Sequence, residues 1–197
     1  EWILGAGSRG ALHLHFTMED NPSLSPQIRE RYERLYTGIF YRRFVLGQWA
    51  QAEGRVYDFF EPEMAVRVPE GSFESWYVSC DYGTVNPMSM GLWGLQKGVW
   101  YRVAEFYFDS RARQRQMTDG EYEQELRKLA GGRPVREVIV DPSAASFIQL
   151  LRQKGWRVRK ADNDVLSGIR ATADALKSGR IVICTPCRDC LREMEEY

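Results

Sequence analysis

The chain lacks an excess of charge of either sign, because its 27 lysine and arginine residues balance its 27 aspartate and glutamate residues. Any basic surface for a nucleic acid must therefore be local. No apolar run reaches the roughly 18 residues of a membrane span, and no apolar signal segment stands in the first ten residues. These absences favour a cytoplasmic protein whose four cysteines are reduced.

Three familiar ligand motifs are missing or incomplete. No GxxxxGK[ST] loop is present, which excludes ATP binding of that type by these residues. GAGSRG at residues 5–10 fits GxGxxG, but no full strand precedes it and a strand-like pattern follows where a helix is needed. Cys184, Cys187 and Cys190 have the spacing of a zinc site without a fourth local ligand. We therefore interpret these cysteines as structural.

Two aspartates each follow an apolar run and precede a turn. Asp81 lies in WYVSCDYGT at residues 76–84, and Asp141 lies in VIVDPS at residues 138–143. Adjacent parallel strands would bring both carboxylates to one sheet edge, where their repulsion calls for a cation. Hard oxygen ligands favour Mg²⁺ or Mn²⁺, and two such ions can bracket an in-line attack on a phosphodiester. The pair predicts a metal-dependent nuclease site of the RNase H-like type, with Gly83 freeing the turn.

The order of elements predicts an α/β fold with a mixed sheet. Three strands with short connections come first, at residues 76–81, 88–96 and 99–108. Helices are then predicted at residues 118–130, 144–154, 165–178 and 188–197, alternating with strands at 136–140, 156–159 and 181–184. Three antiparallel strands followed by alternating units form a sheet flanked by helices. The right-handed crossover rule places the Asp141 strand near the Asp81 strand.

Residues 1–62 have a different pattern from the rest of the chain. One alternating segment predicts a strand, and two short amphipathic segments predict helices. We expect this small appendage to end at residue 62 and the α/β domain to occupy residues 63–197.

Basic residues cluster in RQKGWRVRK at residues 152–160, and again at residues 111–115. Residues 157 and 159 share one face of a predicted strand, so the first cluster can track a phosphate backbone. A solvated rim is the alternative interpretation. Nucleic-acid contacts are predicted for Arg157, Arg159, Lys160 and Arg170.

An ordered set of segments resembles the large subunit of phage terminases, the motor-nucleases that package and cut viral DNA. Near the N-terminus the segments are HFTMEDNP at residues 15–22, LYTGIFYRRFVLGQW at 35–49 and AEGRVYD at 52–58. Later in the chain they are DYGT at residues 81–84, VDPS at 140–143 and NDVLSGIR at 163–170. The resemblance spans essentially the whole chain.

This resemblance implies an RNase H-like endonuclease domain that cuts duplex DNA with two Mg²⁺ or Mn²⁺ ions. Asp81 and Asp141 would be the catalytic metal ligands, and residues 1–62 would be the end of the ATPase region with a helical linker. The family's third acidic residue lies on a later helix, expected beyond Tyr197. Asp162, Asp164 and Asp174 are not expected to replace it.

The resemblance also implies where a full-length parent acts and what it binds. Double-stranded DNA is the implied substrate, portal and small terminase subunit are the implied partners, and the compartment is the cytoplasm of the bacterial host. Two alternatives remain open. One is another RNase H-like nuclease, such as a resolvase or transposase; the other is a DNA-binding or docking module with a catalytically dead site.

Overall fold

A computed structural model of the chain describes residues 21–23, 25–28, 56–83 and 86–196. The chain divides into two units, residues 1–54 and 55–197, and the fold below is that of the second. The predicted strand and helices before residue 47 lie outside the described residues, apart from 26–28, which are helical. The domain boundary at residue 62 stays a prediction.

From residue 75 the elements follow the predicted order, in which three strands come first and helices then alternate with strands. The strands are β1 (Ser75–Asp81), β2 (Met88–Gln96), β3 (Val99–Phe108), β4 (Val135–Val140), β5 (Val158–Lys160) and β6 (Ile181–Ile183). The helices are α1 (Asp119–Ala130), α2 (Ala145–Gln153), α3 (Val165–Lys177) and α4 (Arg188–Glu196), and a 3₁₀ turn spans Pro62–Met64. Within the described ranges, no helix has both the length and the apolar character needed to cross a bilayer.

Helix α1 begins and ends where its sequence signals lie. The Thr118 hydroxyl accepts a hydrogen bond from the Glu121 N–H, and the Glu121 carboxylate accepts the Thr118 N–H at 2.8 Å. This capping box satisfies N–H groups that have no partner inside the helix. Gly131 then adopts the left-handed conformation, with φ of 57°, and ends the helix.

Strand β5 begins later than predicted, at Val158 instead of Trp156. The Trp156 N–H donates to the Leu151 carbonyl at 3.0 Å, so this residue completes the end of α2 and does not pair with β4. Its indole N–H donates to Glu123 on α1 at 2.9 Å. Both contacts hold the tryptophan against the helices.

The six strands form one mixed sheet in the order β5-β4-β1-β2-β3-β6. β1 pairs antiparallel with β2, and β2 antiparallel with β3, as predicted for the first three strands. β4 lies parallel to β1 on its other side, which confirms the placement expected from the crossover rule. β5 and β6 add parallel strands at the two edges.

Helices cover the two faces of the sheet unequally. Alternate residues such as Val78, Met90 and Val138 are fully buried on the first face, where α1 and α2 supply Leu126 and Phe147 to the same core. A smaller cluster packs α3 and α4 against the β6 side of the second face. Its buried members are Tyr57, Phe60, Leu176, Ile183 and Cys187. The second face is therefore covered next to β3 and β6.

Candidate active site

Asp81 ends β1, and Asp141 directly follows the neighbouring parallel strand β4. Their preceding residues, Cys80 and Val140, are paired across the ladder, and neighbouring strands lie about 4.8 Å apart. The two carboxylates therefore leave the sheet side by side at its carboxyl edge, as the crossover rule predicts. Their role as metal ligands stays a prediction.

Two more residues extend this edge across β2 and β3. Ser89 pairs with Asp81, and Tyr107 pairs with Ser89. On the other side, Lys160 ends β5 and pairs with Val140, which is buried on the first face, so the Lys160 side chain lies on that face and not on the face of Asp81. We call the following series the carboxyl-end row: Asp141, Asp81, Ser89 and Tyr107.

Helix α4 closes one side of a cleft over this row. The cleft has a volume of about 450 Å³, and its lining includes Asp81 and Ser89 from the sheet and Glu193 from α4. The Tyr107 hydroxyl donates to the Glu193 carboxylate at 2.7 Å. A third carboxylate, that of Glu193, thus faces the same cleft as Asp81. The only local indication of its position in the sequence is the helical pattern of residues 188–197.

The surroundings of the two aspartates shift their pKa values in opposite directions. Desolvation first, then the negative charges of Asp141 and Glu193, raise the pKa of Asp81. Asp81 is exposed by surface area, yet the surrounding protein atoms are numerous enough to disfavour its charged form. Hydrogen bonds from Ser143, and a weaker one from Asn163, lower the pKa of Asp141. Two carboxyl groups with opposed pKa shifts are typical of a functional pair.

Neighbouring contacts fix Asp141 in place. The Ser143 N–H donates to Asp141 at 2.7 Å, and the Asn163 side chain donates to the same carboxylate at 3.2 Å. Asn163 lies in the NDVLSGIR segment, whose Asp164 caps α3 through the Ser167 N–H at 3.2 Å. The loop before α3 therefore holds Asp141 from outside the sheet.

The chain after Asp81 is anchored by Tyr82 and confined at Gly83. The Tyr82 ring packs against Phe147 on α2, and its hydroxyl donates to Asp119 on α1 at 2.5 Å. A Cβ on Gly83 would overlap the carbonyl oxygens of the following loop. Glycine is thus required here because of space, and not for the freedom of the turn that the sequence predicts. Thr84 lies outside the described residues.

A buried ion pair holds α4 over the cleft. The Glu105 carboxylate, with 7% of its side chain exposed, accepts the N–H groups of Asp189 and Cys190 at 2.7 and 3.1 Å. It also pairs with Arg102 at 3.4 Å. Gly91 leaves the room that the Arg102 guanidinium occupies, since a Cβ there would lie 2.7 Å from its central carbon. The Glu105 carboxylate thus caps α4 about one turn before Glu193.

The predicted basic residues divide into two groups. Arg157 and Arg159 are each 3.1 Å from the Glu137 carboxylate, so one acidic group serves two arginines. Lys160 and Arg170 are exposed, and of these only Lys160 lies at the end of a strand beside the carboxyl-end row. The predicted nucleic-acid role of all four stays a prediction.

Other candidate ligands lie apart from the row. In the described part of the chain, no group of three or more His, Cys, Asp or Glu side chains is close enough to hold a metal ion. Asp164 serves as the cap of α3, and Asp174 is exposed on that helix. Cys184 and Cys187 are fully buried among apolar residues.

Comparison with solved structures places the chain among phage terminases. The large terminase of a thermophilic bacteriophage, solved in complex with ADP, is 52% identical over 94% of this chain, with a TM-score of 0.70. The chain spans about half of that protein, 47% of its length. No protein-family model and no curated protein matches the chain.

Two more distant structures share the fold. The P22 large terminase nuclease domain matches 74% of this chain and 79% of its own length at 17% identity, with a TM-score of 0.59. The large terminase nuclease from the thermophilic phage G20c, solved with bound cobalt, matches 75% of this chain and 82% of its own at 11% identity, with a TM-score of 0.51. The chain therefore belongs to the phage large terminase family and has the RNase H-like fold of its nuclease domain.

Proposed function

We propose that this chain is the metal-dependent endonuclease portion of a DNA-packaging terminase and hydrolyses duplex DNA by a two-metal mechanism. The observation that carries the proposal is the pair Asp81 and Asp141 at the ends of adjacent parallel strands, with Asp81 lining an open cleft. Family membership supports the same interpretation. The alternative function, that of another RNase H-like nuclease such as a resolvase or transposase, does not have the support of family membership.

Asp81 and Asp141 would hold Mg²⁺ or Mn²⁺, because carboxylate oxygens are the ligands these ions prefer. Bound divalent ions would supply an activated water and stabilise the charge on the leaving oxygen. Asp141 is kept ionised by its hydrogen bonds from Ser143 and Asn163, which lower its pKa. Asp81 gains most from a nearby cation, since desolvation first, and then the charges of Asp141 and Glu193, raise its pKa and disfavour its charged form. The cobalt bound by the G20c nuclease fits this assignment.

The DNA would lie along the carboxyl-end row. Lys160 is exposed where β5 ends, beside the row, so it would contact a phosphate on that side. Arg170 and the pair Arg157 and Arg159 would contribute further along the backbone, with the pair partly offset by Glu137. In a full-length parent, portal and small terminase subunit would be the partners, in the cytoplasm of the bacterial host.

Cleavage of supercoiled plasmid tests the proposal directly. The chain is incubated with plasmid in Mg²⁺, Mn²⁺ or EDTA, beside Asp81→Asn and the control Asp174→Asn, which makes the same change at an exposed position of α3. We expect metal-dependent nicking by the unmodified chain and by Asp174→Asn, and none by Asp81→Asn. Nicking by Asp81→Asn at the unmodified rate would overturn the site assignment.

A catalytically silent DNA-binding module is the second candidate. The absence of a three-carboxylate cluster among the described residues favours it, because two carboxylates alone hold a divalent ion weakly. Plasmid that is bound in EDTA, with strong salt dependence, but never nicked in either metal would support the second candidate over the first.

A further inference from the structure

The loop after β3, residues 109–116, carries three arginines and one aspartate; we call it the arginine loop. β3 ends at Phe108, one residue after Tyr107, which is the last member of the carboxyl-end row. The loop therefore leaves the sheet at the same edge as Asp81 and Asp141. The nucleic-acid contacts predicted from the sequence, at residues 157–170, do not include it.

The backbone of the arginine loop is organised by its own hydrogen bonds. The Asp109 carboxylate accepts the N–H groups of Arg111 and Ala112 at 2.9 and 3.1 Å. Further along, the N–H of Arg113 donates to the Asp109 carbonyl and that of Arg115 to the Ser110 carbonyl, both at 3.1 Å. Because these hydrogen bonds already order the backbone of the loop, little further conformational entropy is lost when its side chains bind a ligand.

Two of the three guanidinium groups have no acidic partner in the part of the chain that the structure describes. Among the described residues, the Arg111 side chain has no hydrogen-bond or ion-pair partner, and it is exposed. Arg113 lies over the Phe108 ring, 5.7 Å from its centre, which leaves its N–H edges for an anion. Arg115 pairs with Glu121. Asp109 is the single acidic residue of the loop, and its carboxylate accepts hydrogen bonds from backbone N–H groups.

Positive charge flanks the row on both sides, from Lys160 on β5 and from the arginine loop after β3, and the row itself carries the negative charges of Asp141 and Asp81. Lys160 and the arginine loop are separated by the strands β4, β1 and β2, which is about 19 Å at about 4.8 Å per strand. A phosphate backbone brought to Asp81 and Asp141 would be repelled by these carboxylates. Cations that flank the row would offset this repulsion without occupying the metal-ligand positions.

We propose that the arginine loop binds the phosphate backbone of duplex DNA through Arg111 and Arg113, at the end of the row opposite Lys160. The proposal rests on the proposed function, because it takes DNA at the row as given. It assigns the main phosphate contacts to this loop. Arg157 and Arg159 are weaker candidates because Glu137 already pairs with both.

Salt-dependent DNA binding in EDTA tests the proposal separately from cleavage. Fluorescence anisotropy of a labelled duplex gives the slope of log affinity against log salt, to which each phosphate neutralised by the protein adds about 0.9. We expect Arg111→Gln/Arg113→Gln to weaken binding and to reduce the slope by about 1.8. The control Lys97→Gln/Arg136→Gln removes two exposed charges at the far ends of the strands, in the β2–β3 turn and near the start of β4. We expect it to leave the slope unchanged.

Two further measurements keep the outcomes distinct. Arg111→Gln alone removes a side chain without partners among the described residues, so it should fold normally and reduce the slope by about 0.9. Mn²⁺ binding by the double variant should equal that of the unmodified chain, which separates the loop from the metal site. Equal slopes for the loop pair and the control pair would overturn the proposal, as would an unmodified chain that does not bind DNA at low salt.

Discussion

The buried pair Arg102–Glu105 allows the sharpest prediction about stability. In Glu105→Ala the Arg102 guanidinium, of whose side chain 12% is exposed, would be left without its counter-charge. Its Nε already lacks a hydrogen-bond partner among the described residues. Removing one member of a buried ion pair costs about 3–5 kcal/mol. The first turn of α4 would also lose the acceptor for two N–H groups. The cost of that loss is included in the same range, because both interactions are made by the Glu105 carboxylate.

Urea unfolding followed by tryptophan fluorescence measures this change. We expect Glu105→Ala to lower the free energy of unfolding by about 3–5 kcal/mol. The control Glu125→Ala removes a glutamate whose partner Lys128 is mostly exposed, and should cost only about 0.3–0.5 kcal/mol. A decrease of less than about 1 kcal/mol for Glu105→Ala, or one equal to the control, would refute the claim that this pair anchors α4.

Two other predictions concern the site loop and the thiols. Gly83→Ala should lower the free energy of unfolding by roughly 1–3 kcal/mol, because its Cβ would overlap the Asn86 carbonyl; an unchanged melting temperature would contradict this. Burial raises the pKa of Cys184 to about 11 and that of Cys187 to about 12, from 9.0. Unfolded thiols release protons first as the pH rises, so the contribution of these two thiols to the free energy of unfolding should be constant below about pH 9 and fall as the pH rises toward about 12. In urea titrations at several pH values, Cys184→Ala should make the free energy of unfolding fall less steeply with pH. A pH slope equal to that of the unmodified chain would contradict the prediction.

Local signals in the sequence were sufficient for most elements of the fold. Thr118, Glu121 and Gly131 determine the limits of α1 through contacts within a few residues of one another. The adjacency of β1 and β4 agrees with the placement expected from the right-handed crossover rule for parallel strands. The two aspartates could therefore be placed at one edge without knowledge of any side-chain contact.

The remaining features depend on contacts between distant residues. Glu193 faces the cleft because Glu105, 84 residues before Asp189, caps α4, and no sequence pattern links these positions. Glu137 likewise reaches Arg157 and Arg159 only because β5 lies beside β4. Such pairings decide which charges are neutralised, so a basic surface could be predicted from the sequence but its members could not be ranked.

Mn²⁺ binding, followed by electron paramagnetic resonance, tests the central claim most directly. The unmodified chain, Asp81→Asn and the control Asp174→Asn are titrated in parallel. The two-carboxylate site predicts bound Mn²⁺ in the unmodified chain and in Asp174→Asn, with no binding by Asp81→Asn. An unmodified chain that binds no Mn²⁺, or an Asp81→Asn variant that binds as tightly as the unmodified chain, would contradict the claim that Asp81 and Asp141 form a metal site.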